Sequence, residues 1–346
     1  MQPGFFDLDN RYRKLDERDA LVGLGTLIDW EDFRDTLAKV REKHRKSAAG
    51  RKPYDDVLMF KVLVLQHLYN LGDDEVEFQI RDRYSFCRFL KLNPEDRVPD
   101  AKTIWLFREQ LIEQGLIKAL FYAFDAQLEQ KGFKAKKGQI VDASLVSAPI
   151  QRNSRDENAQ IKNGETPERF KENPNVERQK DVEARWTEKN GQRHYGYKDH
   201  VAIDNAHKLI REYEVTSAQV HDSQVFLELL GDNTSRAVWA DSAYRSAEND
   251  VILDASGYRN RVHEKGYRDN PLSERQKNAN RAKSKIRARV EHVFGAMEHE
   301  MGGMFVRVIG LARATAKIGL MNLVYNIKRC VYLEGKVASA ECGRGR

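Results

Sequence analysis

Three carboxylates in this chain are candidates for chemistry. Asp142 sits inside Gln139-Ile140-Val141-Asp142-Ala143-Ser144-Leu145-Val146, an apolar, β-branched stretch bounded by Lys136-Lys137-Gly138 and Ser147-Ala148-Pro149, which reads as a short strand. Aspartate is a poor strand former and costly to bury unpaired, so an aspartate held there needs a counter-charge or a cation, unless the strand is an edge and the side chain faces water. Asp241 ends a second apolar run, Arg236-Ala237-Val238-Trp239-Ala240, and open α/β sheets house chemistry at the carboxyl ends of their strands. Glu291 lies on a long helical stretch that would cover the sheet. Three hard oxygen donors without a His or Cys companion suit Mg²⁺ or Mn²⁺. Two such ions about 4 Å apart serve phosphodiester cleavage and joining by in-line displacement. The competing reading pairs Glu291 with Arg287 as an ordinary i−4 salt bridge.

The helix carrying Glu291 is capped by Ser273 with Gln276 in capping-box spacing, and it places Ile286, Val290, Val293, Phe294, Met297 and Met301 on one stripe. Its basic residues, among them Arg281, Lys283, Lys285, Arg287 and Arg289, are candidate phosphate contacts. So are Arg45 and Lys46 within the basic run 39–52, which reads equally as a solvated face.

The surrounding elements divide the chain. Residues 1–132 read as helical. Their centre is an almost wholly apolar helix from Asp55 to Leu71, opened after Pro53 and closed at Gly72. Short helices follow at Glu75 to Asp82, Tyr84 to Leu90, Ala101 to Gln114 and on to Gln130. The helix from Ala101 is a candidate recognition helix carrying Lys102, Thr103, Trp105 and Arg108, although packing alone explains the same pattern. Residues 133–335 read as a mixed α/β domain with strand and helix order βββαβαβα. In it the runs 195–203 and 208–216 form an antiparallel hairpin, and a helix is expected from Asp222 to Leu230. The polar segment 151–193 reads as a surface insertion or flexible loop, and 336–346 as a disordered tail.

Bulk properties fit a soluble globular protein: 40% hydrophobic and 32% charged residues, with 59 Lys+Arg against 53 Asp+Glu giving +6 and a pI near 9.0. That balance favours an anionic partner. Cys87, Cys330 and Cys342 form neither a zinc-finger spacing nor a disulfide framework, which points to a reducing cytoplasm. No apolar run approaches a membrane span, and export is not expected.

The blocks IVDASLVSAP, HYGYKDHVAIDNAHKLIREYEVTSAQVHDSQ, VWADSAYRS and RARVEHVFGAM, in this order, resemble the catalytic core of DDE transposases of the insertion sequence 5 family. The segment RKPYDDVLMFKVLVLQHLYNLGDDEVEFQIRDRYSFCRFL is similar to that family's helical N-terminal domain. The resemblance implies a ribonuclease-H-like core and a triad of Asp142, Asp241 and Glu291 on two Mg²⁺ or Mn²⁺ ions, with Arg287 matching the arginine before the glutamate. It implies double-stranded DNA partners, both the terminal inverted repeats and the target, and a homodimer or higher assembly on DNA. Many relatives carry a basic residue seven positions after the glutamate, where this chain has Glu298. His221-Asp222 and Asp204 also match motif positions and read as supporting residues. Two rivals stay open: a DNA-binding regulator without catalysis, and a ribonuclease-H-like nuclease that does not join.

Overall fold

The computed structural model describes residues 19–41, 52–189, 191–267 and 269–344. The chain falls into two compact units, one of Met1–Gly132 with Leu323–Arg346 and the other of Phe133–Asn322.

The first unit is helical. It comprises α1 (Ala20–Leu27), α2 (Arg34–Ala38), α3 (Asp56–Leu68), α4 (Asp73–Asp82), α5 (Tyr84–Leu90), α6 (Ala101–Glu113) and α7 (Leu116–Gln130). Side-chain carboxylates set three of the starts: Asp19 accepts from Leu21 N, Asp55 from Leu58 N and Asp100 from Thr103 N, each satisfying an amide that lacks an intrahelical partner. Gly115 takes a left-handed conformation, φ +65°, and separates α6 from α7. Helix α3 is buried from Val57 to Leu68 at all but one position, as its all-round apolar composition requires. Phe60 at its centre packs on Phe33, with ring centroids 4.9 Å apart. On α6, Lys102 and Trp105 are exposed, whereas Arg108 is committed to Asp73 through two bonds of 2.8 Å. Arg45 and Lys46 lie outside the described residues.

The second unit is a mixed α/β domain. Its strands are β1 (Gln139–Ser147), β2 (Arg185–Lys189), β3 (Gln192–Asp204), β4 (Ile210–Ser217), β5 (Ala237–Trp239) and β6 (Arg259–Asn260). They run in the order β2-β3-β1-β5-β6, and β4 also pairs with β3. Pairing of β3 with β1, β2 and β4 is antiparallel; β1–β5 and β5–β6 are parallel. Strand β1 is therefore interior, and the edge reading of Asp142 does not hold. Gly138 enters β1 at φ +87°, where a Cβ would lie 2.5 Å from the Ala237 carbonyl and the Trp239 ring, so only glycine lets β5 approach this closely.

Three expectations are corrected. Residues 151–193 are not a loop: they form α8 (Arg155–Lys162), α9 (Glu168–Glu172), α10 (Pro174–Glu177) and β2. Buried Ile161 and Phe170 anchor them, as does Asp181, which accepts from the Ala184 amide and the Tyr197 hydroxyl. The helix expected over Asp222 to Leu230 is two single 3₁₀ turns, Asp222–Gln224 and Leu227–Leu229. The remaining helices are α11 (Ala247–Ala255), α12 (Glu274–Met301) and α13 (Leu311–Arg344). Helix α13 continues through the segment expected as a disordered tail, and its part from Leu323 belongs with the first unit.

Candidate active site

The parallel pairing of β1 and β5 ends at Ile140 and Trp239. Asp142, on β1, and Asp241, just past the end of β5, each lie two residues beyond that pair, on the same cavity of about 180 Å³. Asp241 is fixed by its backbone role, capping the 3₁₀ turn Ser242–Tyr244 by accepting from Ala243 N at 2.8 Å. Asp142 accepts from its neighbour Ala143 N at 2.9 Å and from Arg287 Nη1 at 2.5 Å. Burial pushes the Asp142 carboxyl up to about 6; Arg287 opposes the rise and Asp241 adds to it, the behaviour of a desolvated acid beside a like charge.

The long helix α12 starts at the expected capping box and buries Val290, Val293, Met297 and Met301. Arg287 sits at the border of that stripe and reaches the sheet; Glu291, about 40° further round at 100° per residue, is exposed. The competing Glu291–Arg287 pairing does not form; Arg287 pairs with Asp142 instead. The structure brings Asp142 and Asp241 together and leaves Glu291 apart from them. Among the described residues no three His, Cys, Asp or Glu side chains converge as a metal site.

The predicted phosphate contacts on α12 also separate. Arg289 donates to the carbonyl and side-chain oxygens of Asn205, at 2.7 and 2.5 Å, and so holds the β3–β4 turn. Lys283 donates to Val262 O at 2.7 Å and faces Glu264 at 3.5 Å. Arg281 and Lys285 remain exposed.

Two residues join the site that the carboxylate argument did not include. Lys198, on the β3 run paired with β1, donates at 2.7 Å to both Asp222 Oδ1 and Val220 O, and both Lys198 and Asp222 line the cavity. Strand alternation in Tyr197-Lys198-Asp199 and the motif position of Asp222 were the available signals. Asp204, by contrast, is fully buried and holds the hairpin, accepting from Ala206 N, His207 N and Leu209 N.

As a cation site the pair Asp142–Asp241 fits in its donors, two hard carboxylates on one cavity, where a cation would displace Arg287 from Asp142. The model described as Transposase DDE domain matches residues 134–327, and that described as Transposase domain (DUF772) matches residues 9–110. The chain belongs to the transposase DDE domain family and is a DNA transposase. It is also similar to the solved structure titled cryo-EM structure of piggyBac transposase synaptic complex with hairpin DNA, at 13% identity, 93% coverage of this chain, 76% of that chain and a TM-score of 0.46. No helix among the described residues is long and apolar enough to cross a membrane.

Proposed function

We propose that this transposase is of the insertion sequence 5 group, that its second unit is a ribonuclease-H-like core, and that it cuts and joins DNA at the terminal inverted repeats of its own element. The observation that carries the reading is the placement of Asp142 on β1 and of Asp241 just past the end of its parallel neighbour β5, both on one cavity. The strand order, antiparallel on the β3 side of β1 and parallel on the β5 side, supports the core assignment.

Asp142 and Asp241 are the residues that would hold Mg²⁺ or Mn²⁺, with Glu291 joining them when DNA is bound. Bound there as a pair, such ions would supply activation of the attacking oxygen and stabilisation of the leaving one. Arg287 orients Asp142, and Asp241 is kept in place by its capping bond. In the cleavage step a water oxygen forms a bond to phosphorus, the P–O3′ bond breaks, and the water's proton passes to solvent as the 3′-oxygen becomes a hydroxyl. In the joining step that 3′-hydroxyl attacks a target phosphorus, releasing a target 3′-oxygen. Exposed Arg281 and Lys285 neutralise phosphates. Two ends joined in one event require at least a homodimer on DNA, working in the cytoplasm.

The test is nicking of supercoiled DNA carrying the element's ends, in Mg²⁺ or Mn²⁺, by the parent and by Asp142→Ala, Asp241→Ala and Glu291→Ala. The expected result is nicks and strand-transfer joints from the parent, and full-strength DNA binding without nicks from each variant. Variants that cut as well as the parent overturn the site assignment; abundant nicks without joints overturn the transfer step.

A further inference from the structure

The segment 151–193, ordered where a loop was expected, ends in a strand that walls the cavity of Asp142 and Asp241. Thr187, Glu188 and Lys189 of β2 all line it. Strand β2 pairs with the start of β3, from Arg185↔Gly196 to Lys189↔Gln192. Its base is anchored: Arg185 donates to the Ile161 carbonyl at 2.9 Å, and the Trp186 ring lies 5.2 Å from that of Tyr195. Thr187 and Lys189 are two residues apart and so share one strand face, turned away from the Trp186–Tyr195 contact. Glu188 belongs to the other face, opposite Arg193 in the register.

Two cationic side chains line the cavity, Lys189 and Lys198. Lys198 is half-buried and committed, donating at 2.7 Å to both Asp222 Oδ1 and Val220 O. Lys189 is exposed and makes no hydrogen bond or ion pair among the described residues. Its charge still reaches the site: burial raises the Asp142 carboxyl, and after Arg287 Lys189 is the second cation opposing that rise. With divalent cations on Asp142 and Asp241, the anion left for Lys189 is the one a DNA substrate brings.

We propose that Lys189 contacts the phosphate being cut, its ammonium donating to a non-bridging oxygen while Asp142 and Asp241 hold the cations across the cavity. The proposal rests on the reading of Asp142 and Asp241 as the cation site. Transition-state charge is spread over the non-bridging oxygens, so a cation placed there acts on the rate of the step. One such donor in a water-excluded site is worth about 10²–10³ in rate; this wall is open to solvent, so the expected effect is about 10- to 100-fold. A lysine that gripped the DNA backbone elsewhere would instead change affinity and lower the salt slope by about one.

The experiment is single-turnover nicking, in Mg²⁺ and at saturating full-length protein, of a linear duplex carrying the element's end. The proteins are the parent, Lys189→Gln, Lys189→Arg and Asp241→Ala, each with a thermal melt and a DNA affinity measured in EDTA. The expected result is that Lys189→Gln melts at the parent temperature and binds the duplex within about threefold of the parent, as loss of one exposed phosphate contact allows. It should nick at least about tenfold more slowly, and Lys189→Arg should recover most of the rate. A Lys189→Gln rate equal to the parent's at saturation, whatever its affinity, overturns the proposal; if Asp241→Ala is then inactive, the carboxylate site stands. A Lys189→Arg as slow as Lys189→Gln, or a Lys189→Gln that melts lower than the parent, also overturns it, because charge at the substrate would not be what Lys189 supplies. A parent that does not nick, or an Asp241→Ala that nicks like the parent, overturns the site and the proposal together.

Discussion

Replacing Asp199 by Asn should stabilise the second unit, and by more at alkaline than at acidic pH. Asp199 lies on β3, fully buried, and accepts at Oδ1 from the side-chain amide of Asn322 on α13, at 3.0 Å. Asp199 Oδ2 and Asn322 Oδ1 are both buried acceptors without a donor. Burial pushes the carboxyl up to about 7 from 3.8, and the Asn322 bond opposes the rise. The folded-state pKa is raised, so the contribution of this group is fully present below about 3.8 and is lost as pH rises toward about 7. At 1.36 kcal/mol per pKa unit, the whole penalty above that range is up to about 4 kcal/mol. Asparagine mimics the protonated acid, with an N–H that can meet the Asn322 carbonyl oxygen. Urea unfolding of parent and Asp199→Asn at about pH 5.5 and about pH 8.5 should show the variant's advantage growing by about 2 kcal/mol between the two. Comparing the two pH values cancels packing effects of the substitution that do not depend on pH. An advantage that stays constant or shrinks with rising pH refutes the reasoning.

Other substitutions separate structural from surface roles. Lys285→Ala should leave the melting temperature unchanged and lower the slope of log affinity for DNA against log salt by about one unit, whereas Arg289→Ala should destabilise the β3–β4 turn, by about 1–3 kcal/mol in urea, through the loss of its bonds to Asn205. Phe60→Ala, at a fully buried position in α3, should cost about 3–5 kcal/mol, read from the denaturation of the helical unit. Gly138→Ala should cost more than about 1 kcal/mol, seen as a lower melting temperature, because its positive φ and the contact with Ala237 and Trp239 both oppose a Cβ.

The local elements were legible because their signals are short in range. Asp55 and Asp100 cap where they start helices, Gly115 breaks where it can turn left-handed, and Ser273 with Gln276 closes a capping box. Period-two alternation marked β3 and β4 as a hairpin, and an aspartate amid β-branched residues marked β1. Low aliphatic content misled the reading of 151–193, because a few buried side chains, Ile161 and Phe170 among them, are enough to order it around Asp181.

Pairings between distant residues were decided by the tertiary structure. Residue types and spacing alone established that Asp142 would need a counter-charge or a cation unless its strand were an edge, and that Arg287 and Glu291 would be helical neighbours. The β1–β5 pairing put Asp142 and Asp241 on one cavity, and the rotation of α12 about its buried stripe turned Arg287 toward Asp142 and Glu291 toward solvent. Lys198 and Asp222 became cavity residues through β3 pairing and a 3₁₀ turn where a helix was expected. The reason is physical: caps and periodicities are settled within one or two turns of chain, whereas the partner of a charge is settled by which surfaces the whole fold buries against each other.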